Sequence, residues 1–534
     1  MAAPTIELLG RGPVTLETAL EEERNVLRWA TYAPATEKLS QELWQERDAI
    51  AAIVRHHLGL RPQDRCTVLP RERWIRGGFN LCVFVEVASG SSARRIVFRV
   101  PMPHKLAETR FPGTVDEKVD SEVGAYVWVE EHCPEIRVPH LFGFGYMDGR
   151  HFTHSRHMSL VTRLVRCLWR AVYKKLDLPL LSSYVWHRPT KQLPNAYLVL
   201  EYLGPEVGQT LSTTFAANKD DEDRRARLFK GLSQIMLSLA RIPQARIGSF
   251  QFRSDGTITL TNRPLSFAMM IAENDGARRT MDEGETFACT DAYVSEALTF
   301  HDNRFLSQPN AVYSEKDCRG QMTVKTLLRS LSHNFVRGEL RNGPFPLQLT
   351  DCHMSNILVD NQWNVTGIID LEWICALPSE MLTVPLWLTG CSPDQLENEK
   401  LEAFDKARRE FMRFFEIEEE KQTPHQAPVA SRPKLSTIMH NMWESKGTWF
   451  WQSVSSMNLM YFLVESHLCP AGSITTKYER HISRFWRSDA DELVQKKLAD
   501  KEAYEEELRA LFKPEKKRSR STKAPSVRSV KVEG

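Results

Sequence analysis

Two carboxylates and one carboxamide interrupt an apolar, β-prone stretch at residues 347–373, LQLTDCHMSNILVDNQWNVTGIIDLEW. Asp351 and Asn356 lie five residues apart, and two short strand-like runs separated by a turn follow them. A hairpin of this kind would return Asp370 beside both residues. Mg²⁺ prefers such oxygen ligands, usually one or two carboxylates together with substrate phosphates. The pattern predicts phosphoryl transfer in which Asn356 and Asp370 bind Mg²⁺ and Asp351 accepts the proton of, or orients, an attacking hydroxyl.

The pattern D-x-H-x-x-N-I-x-V-D followed by G-I-I-D-x-E resembles the aminoglycoside phosphotransferase (choline kinase-like) family, and most of all its fungal members. The resemblance implies a protein kinase-like fold, ATP and Mg²⁺, Asp351 as the catalytic base, and Asn356 and Asp370 as metal ligands. One position departs from the family, which usually has a largely structural histidine where this chain has Leu349. The alternative is an ordinary hairpin with turn and capping residues.

A glycine turn between two apolar runs at residues 74–87 marks the predicted nucleotide site. Glycines at such a turn let backbone amides approach phosphates, so we assign nucleotide binding to Gly77, Gly78 and Phe79. A third strand is expected at residues 95–100. Two strands joined by a glycine turn and followed by a third strand with a cation are typical of the nucleotide lobe of a kinase-like fold. An ordinary hairpin is the other interpretation of the glycine turn alone.

Arg99, in the third predicted strand, stands where the resemblance places the phosphate-binding lysine of the family. Residues 115–130 form an amphipathic helical pattern, and Glu122 lies near its apolar face. Glu122 is therefore the expected partner of Arg99, matching the lysine–glutamate pair of kinases. The alternative is that Glu122 is an exposed helical glutamate. Glu117 and Lys118 are charged positions on the same helix that compete with it.

The apolar run at residues 195–204 predicts a buried strand followed by a glycine. The resemblance implies that this is the hinge between two lobes, where backbone groups of Glu201 and Leu203 would bind adenine. A plain core strand is the alternative.

Residues 148–192 look like an insertion that contains an amphipathic helix. Its basic side chains, Arg163, Arg166, Arg170 and Lys174, lie off the apolar stripe. We expect this helix to pack its apolar stripe on its own domain and to expose the cationic face to solvent. Contact with a membrane surface or an acidic partner is the other interpretation.

Composition limits the function classes further. The formal net charge of +2 over 534 residues gives no global reason to expect nucleic acid as a partner. The 10 cysteines form no CxxC pair, which predicts reduced thiols in an intracellular protein. No signal peptide and no apolar run of about 18 residues is visible, so we expect a cytoplasmic protein without a transmembrane segment. A nuclear address in the basic tail and an acidic partner for that tail are further possibilities.

The predicted fold class is α+β, a two-lobed protein kinase-like fold with a small β-rich N-lobe and a larger, mostly helical C-lobe. The expected units are an N-terminal helical extension (1–70), the nucleotide-binding N-lobe (71–203) with the insertion near 148–192, the C-lobe (204–512) with the catalytic hairpin at 347–373, and a disordered basic tail (513–534). The expected function is transfer of the γ-phosphoryl group of ATP to a small-molecule hydroxyl. The alternative is a catalytically degenerate relative that binds nucleotide or a partner.

Overall fold

The computed structural model describes residues 4–90, 92–187, 191–422, 433–470, 472 and 474–513. The strands, in chain order, are β1 (Thr5–Glu7), β2 (Pro13–Thr15), β3 (Arg65–Val68), β4 (Ile75–Arg76), β5 (Asn80–Ser89), β6 (Ser92–Pro101), β7 (Leu141–Gly145), β8 (His151–His154), β9 (Leu180–Leu181), β10 (Tyr184–His187), β11 (Tyr197–Glu201), β12 (Gln209–Thr210), β13 (Gly248–Phe252), β14 (Thr257–Asn262), β15 (Leu347–Leu349), β16 (Ile357–Val359), β17 (Val365–Ile368) and β18 (Ile374–Ala376). The helices are α1 (Leu16–Glu21), α2 (Val26–Trp29), α3 (Tyr32–Gln45), α4 (Arg47–His57), α5 (Thr114–His132), α6 (Leu160–Lys175), α7 (Leu211–Asn218), α8 (Glu222–Ala240), α9 (Phe267–Asn274), α10 (Thr290–Ser307), α11 (Glu315–Phe335), α12 (Asn398–Gln422), α13 (Leu435–Glu444), α14 (Gly447–Ser455), α15 (Met460–Leu463), α16 (Thr476–Trp486) and α17 (Ala490–Leu511).

The smaller lobe is built on one antiparallel sheet with the strand order β10-β8-β7-β11-β6-β5-β3, and β4 pairs with β5. The long β5–β6 hairpin is its centre, paired in register from Asn80 opposite Pro101 to Ser89 opposite Ser92. Apolar residues of α3 and α4 pack against one group of strand side chains, and those of α5 pack against another. Because helices cover both faces, β5 is a nearly continuous buried run rather than a strict alternation.

The larger lobe is mostly helical. Its two small sheets have the orders β15-β18-β13-β14-β9 and β12-β16-β17. A core shared by α7, α8, α12 and α13 packs against the β16–β17 hairpin. The predicted fold class is confirmed: a β-rich lobe with one long helix precedes a helical lobe that carries the hairpin, in a two-lobed α+β, kinase-like arrangement.

The elements of the N-terminal region pack in two different places. The first elements, β1, β2, α1 and α2, share a small apolar core with the end of α17, and the amide of Val26 donates to the hydroxyl of Tyr504 (2.9 Å). Helices α3 and α4 instead cover the sheet of the smaller lobe. Strand β3 lies within residues 1–70 and pairs with β5, so that sheet begins before residue 71.

Helix α6 shows that the expectation of a packed apolar stripe was wrong. Its apolar side chains lie outward, and the predicted cationic face lies partly inward: Nε of Arg166 donates to the Ser182 carbonyl (2.8 Å), and Nε of Arg170 donates to the Leu181 carbonyl (3.1 Å). Arg170 also pairs with Glu131 at the end of α5. After α6 the chain turns back into β9. The carbonyls of Leu181, in β9, and of Ser182, just after it, need donors, and the two arginines supply them. Around the helix, β8 and β10 extend the large sheet.

Two expectations concern the remaining parts of the chain. The predicted basic tail falls, from residue 514 onward, outside the described residues. None of the helices in the described part of the chain combines the length and apolarity that a membrane crossing requires.

Candidate functional site

The three predicted catalytic and metal-binding residues meet at the mouth of the β16–β17 hairpin. Ile357 pairs with Ile368, and the carbonyl of Asn356 accepts from the amide of the residue before Asp370 (2.9 Å). The side-chain amide of Asn356 donates to the Asp351 carbonyl (3.2 Å). The short turn between the strands therefore brings all three residues to one edge, as their spacing predicted.

Asp370 has a backbone φ of +69°. Few residues other than glycine adopt this left-handed region, and aspartate is among those that do so most readily. Strained backbone of this kind is concentrated at functional sites. Here it turns the chain at the end of β17, so that the Asp370 carboxylate faces β6 of the smaller lobe.

Arg99 on β6 joins the two lobes. Its guanidinium donates to Glu122 of α5 (2.8 Å), to Asp370 (2.8 Å) and to Glu372 (3.1 Å). The Arg99 side chain is buried, and the adjacent carboxylates hold its pKa well above its usual value against the opposing effect of burial. The structure thus brings together the predicted Arg99–Glu122 pair and one predicted metal ligand.

Three further residues of this site were not among the predicted site residues. Nζ of Lys118 lies 3.1 Å from Glu122 and 2.5 Å from Glu372, and the Asn80 carboxamide bonds both Lys118 (3.2 Å) and Glu372 (2.8 Å). Two sequence signals could have found Lys118 and Glu372, whereas none points to Asn80. Lys118 precedes Glu122 by one helical turn, and Glu372 is the final acid of the G-I-I-D-x-E pattern.

We call Arg99, Lys118, Glu122, Asp370 and Glu372 the lobe-junction network. It contains two cations and three carboxylates, so one negative charge is uncompensated. Burial, and then repulsion from the other carboxylates, raise the pKa of Asp370 to about 6, although Arg99 opposes this. Burial and the Glu372 charge also raise the pKa of Asp351. The surplus charge is concentrated at the hairpin mouth.

This donor set fits Mg²⁺. It offers two carboxylates and one carboxamide, the hard oxygen ligands that Mg²⁺ prefers. The carboxylates of Asp351 and Asp370 have raised pKa values, so a nearby divalent cation would relieve an electrostatic strain that the protein itself does not compensate. The side-chain amide of Asn356 donates to the Asp351 carbonyl, which leaves the side-chain oxygen of Asn356 available as a metal ligand.

The predicted glycine turn joins β4 to β5, and the amide of Gly77 donates to the Asn80 carbonyl (2.8 Å). A Cβ at Gly78 would meet no atom within 4 Å, so the tip of the turn is open. The Phe79 ring is buried edge-on against Trp373 (5.3 Å between centroids). Phe79 therefore attaches the turn to the end of the 347–373 stretch, and only its backbone is placed to contribute to the predicted phosphate site.

The predicted hinge follows β11. The amide of Glu201 already donates to the His140 carbonyl (2.9 Å), and its carboxylate accepts from the His140 amide (3.1 Å) and pairs with Arg137 (2.6 Å). Leu203 is half-buried beside the catalytic hairpin, where a Cβ on Gly367 would lie 3.6 Å from its side chain. Of the two predicted hinge residues, Leu203 is thus the one that the fold brings to the hairpin.

The position of the family histidine is occupied by Leu349, which pairs with Ile374 in the sheet of the larger lobe. Leu349 lines a mostly apolar cavity of about 390 Å³ together with Thr350 and Cys352, the two neighbours of Asp351. Burial raises the pKa of the Cys352 thiol to about 12, so this cysteine is a packing residue rather than a nucleophile.

No protein-family model and no curated protein sequence matches this chain. Among solved structures, the chain is similar to a macrolide 2'-phosphotransferase type I, with 10% sequence identity and a TM-score of 0.31 over 82% of this chain and 96% of that chain. It is also similar to an ethanolamine kinase from Plasmodium vivax, with 9% identity and a TM-score of 0.32 over 80% of this chain and 82% of that chain. Likeness at this level is too distant to decide a function, so the functional argument depends on the residues of the site.

Proposed function

We propose that the protein is an ATP- and Mg²⁺-dependent phosphotransferase that transfers the γ-phosphoryl group of ATP to a hydroxyl of a small molecule. Asp351 is the base, Asn356 and Asp370 hold the metal, and the glycine turn with Arg99 holds the phosphates. The observation that carries this proposal is the triple contact of Arg99 with Glu122, Asp370 and Glu372. Arg99 thereby links the proposed phosphate-binding residues of the smaller lobe to the proposed metal ligand Asp370 of the larger lobe.

This arrangement suits phosphoryl transfer because that reaction depends on position and charge more than on covalent chemistry. The acceptor oxygen attacks the γ-phosphorus, the bond from this phosphorus to the bridging oxygen breaks, and ADP leaves. Asp351 accepts the proton of the acceptor hydroxyl. The raised pKa of its carboxyl makes Asp351 a stronger base than an exposed aspartate.

The remaining residues position these groups. Arg99 orients Asp370, and Lys118 with Asn80 fixes Glu372, so that the carboxylates keep their places before substrate arrives. When bound, Mg²⁺ supplies positive charge that offsets the negative charge on the transferring phosphoryl group. The apolar cavity behind Thr350 and Cys352 favours an acceptor with an apolar part.

The test is ADP release from ATP and Mg²⁺ across a panel of sugars, amino alcohols and lipid head-group alcohols. Asp351→Asn should reduce the acceptor-dependent rate by about 10²–10⁴-fold, the usual contribution of a general base, without loss of nucleotide binding. Asp394→Asn, at an exposed aspartate of the larger lobe, is the matched control and should keep the full rate. Equal rates for the two variants would remove Asp351 from the mechanism.

A degenerate, nucleotide- or partner-binding module is the second candidate function. Leu349 in place of the family histidine favours it, and so does the Glu201 amide, which is already bonded to His140. Mg²⁺-dependent nucleotide binding without ADP release for any acceptor of the panel would support this candidate over the enzyme.

A further inference from the structure

Three histidines converge behind the predicted hinge. His140 immediately precedes β7, His154 ends β8, and His157 lies in the short 3₁₀ turn that follows (Ser155–His157). One nitrogen of each ring lies within 4.8 Å of the other two. His154 is buried and the other two rings are partly buried.

We propose that His140, His154 and His157 bind a Zn²⁺ ion. The Nε2 atoms of His140 and His157 are 3.2 Å apart. Two Zn–N bonds of about 2.0–2.1 Å that meet at the tetrahedral angle separate their nitrogens by about 3.3 Å. This pair is therefore already at the spacing of two ligands of a tetrahedral site, and a shift of the His154 ring towards the pair would complete three ligands.

Glu130 of α5 supports the third ligand. Its carboxylate accepts from Nε2 of His154 (3.1 Å), so the lone pair of that ring is on Nδ1. In the metal-free protein Nδ1 accepts from the Arg156 amide (3.2 Å), a contact that the metal would replace. A carboxylate that fixes the second nitrogen of a ligating histidine is the usual companion of a protein-bound metal.

A cavity of about 280 Å³ lies beside the cluster and is lined by Glu130 and His140.

A neighbouring histidine shows what a purely structural ring looks like. His57 is buried, and its two nitrogens face the hydroxyls of Thr153 (2.7 Å) and Tyr197 (3.0 Å). A hydroxyl can donate or accept, so it satisfies either tautomer. His140 and His157 instead face each other through their Nε2 atoms, at the spacing of two ligands of one metal ion.

The proposed metal would brace the hinge. The backbone amide and carbonyl of His140 both bond Glu201. A metal ion bound to the His140 side chain would therefore hold the end of β11 in place. The zinc site stands whether or not the chain transfers phosphate, because none of its ligands belongs to the lobe-junction network.

The direct test is the zinc content of the full-length protein after dialysis against trace Zn²⁺, measured by plasma mass spectrometry. The wild type should retain one equivalent more than the His140→Asn/His157→Asn double variant. His333→Asn, at an exposed histidine of α11, is the matched control and should retain the wild-type amount. Equal zinc in all three proteins, or none in the wild type, would overturn the proposal.

Cobalt substitution distinguishes this site from the cysteines. Co²⁺ in the histidine site should give visible bands of tetrahedral coordination without a thiolate charge-transfer band, and the double variant should lose those bands. A thiolate band that survives in the double variant would overturn the assignment. Circular dichroism of the variants checks that lost binding does not reflect lost folding, and Zn²⁺ should raise the Tm of the wild type but not of the double variant.

A different observation, the outward apolar face of α6, carries a second inference. Six side chains of its first ten residues are between 50% and 71% exposed: Leu160, Val161, Leu164, Val165, Leu168 and Trp169. No acidic residue occurs from Gly149 to Leu176, and Arg163, Lys174 and Lys175 are exposed along the helix. An apolar patch of this size on a soluble lobe marks a contact surface.

We infer that α6 docks on an anionic membrane surface. A helix with an apolar face, a tryptophan and only basic charged residues is the type that lies in the lipid interface. The same charges disfavour a second copy of this chain as the occupant, because a two-fold contact would bring like charges together. The inward bonds of Arg166 and Arg170 hold the apolar face outward without any partner.

Co-sedimentation of the full chain with vesicles tests this docking. Binding should require phosphatidylserine in the phosphatidylcholine vesicles and weaken with salt. It should fall at least tenfold in Leu164→Glu/Leu168→Glu, because apolar side chains are lost from the lipid contact. Ile417→Glu, at an exposed apolar position of α12, is the control and should bind as the wild type does. The docking proposal would be overturned if the double substitution left vesicle binding unchanged, or if the wild type were a dimer that this substitution dissociates.

Discussion

Helix α5 supports two buried charge networks, and they differ in charge balance and in exposure. The lobe-junction network has two cations and three carboxylates, and the Asp370 side chain remains 26% exposed. The second network, which we call the closed network, joins Glu117, Arg263, Glu273 and Arg279. It has two cations and two carboxylates, and none of its side chains is more than 15% exposed.

The difference separates a charge-balanced network from the one that we propose to be reactive. In the closed network Arg263 makes paired bonds to Glu117 (2.7 and 2.9 Å) and also bonds Glu273 (2.5 Å), so its charges are balanced within the protein. In the lobe-junction network the third carboxylate has no cation of its own. A buried charge without a partner is costly, which is why this network, and not the closed one, is suited to accept a metal ion.

The largest expected effect comes from removing the surplus charge. Asp370→Asn should reduce Mg²⁺-dependent turnover by about 10³-fold, because the metal's charge stabilisation is worth several kcal/mol. The Tm should not fall, since Arg99 keeps Glu122 and Glu372 as partners. ADP release and a melting curve on the same sample check both statements; a large loss of stability would make Asp370 a structural residue.

The closed network should behave in the opposite way. Arg263→Met leaves two buried carboxylates poorly compensated and should destabilise the fold by about 3–5 kcal/mol, whereas the rate per folded molecule stays unchanged. Urea unfolding and active-site titration measure the two quantities. Glu402→Gln, at an exposed position of α12, controls for charge loss alone. A specific loss of rate in Arg263→Met would show that the two networks are not separate.

The pH dependence of metal binding sharpens the comparison. The pKa of Asp370 is raised to about 6, so a proton competes with Mg²⁺ below that pH and not above it. The dissociation constant for Mg²⁺ alone should rise about tenfold, or about 1.4 kcal/mol, for each pH unit below 6 and stay flat above 7. Thermal-shift titrations with Mg²⁺ across this range measure it. A wild-type profile that is flat through pH 6 would contradict the assignment.

The sequence predicted the parts of this site that depend on local order. Asp351, Asn356 and Asp370 belong to one hairpin, and the turn fixes their proximity. The Arg99–Glu122 pair followed from the resemblance, which implies a counterpart of the lysine–glutamate pair of kinases. Glu372 joins Arg99 and Asn80 across 273 and 292 residues of chain, a contact that no local pattern encodes. The roles of the site residues remain predictions.

Helix α6 illustrates a second limit. Periodicity shows that a helix has an apolar face, but it does not show on which side the protein lies. The carbonyls of Leu181 and Ser182 decide this by binding Arg170 and Arg166. The three-histidine cluster could not be predicted from a local pattern either, because its members come from the ends of separate elements.

The central claim is that the lobe-junction network with Asp351 and Asn356 forms a metal–nucleotide site. Calorimetric titration of ATP with and without Mg²⁺, on the wild type and on Asp370→Asn, tests it most directly. We expect saturable binding of ATP that requires Mg²⁺ in the wild type and is lost in Asp370→Asn. Mg²⁺-independent binding of equal affinity in both proteins, or no binding in either, would contradict the account.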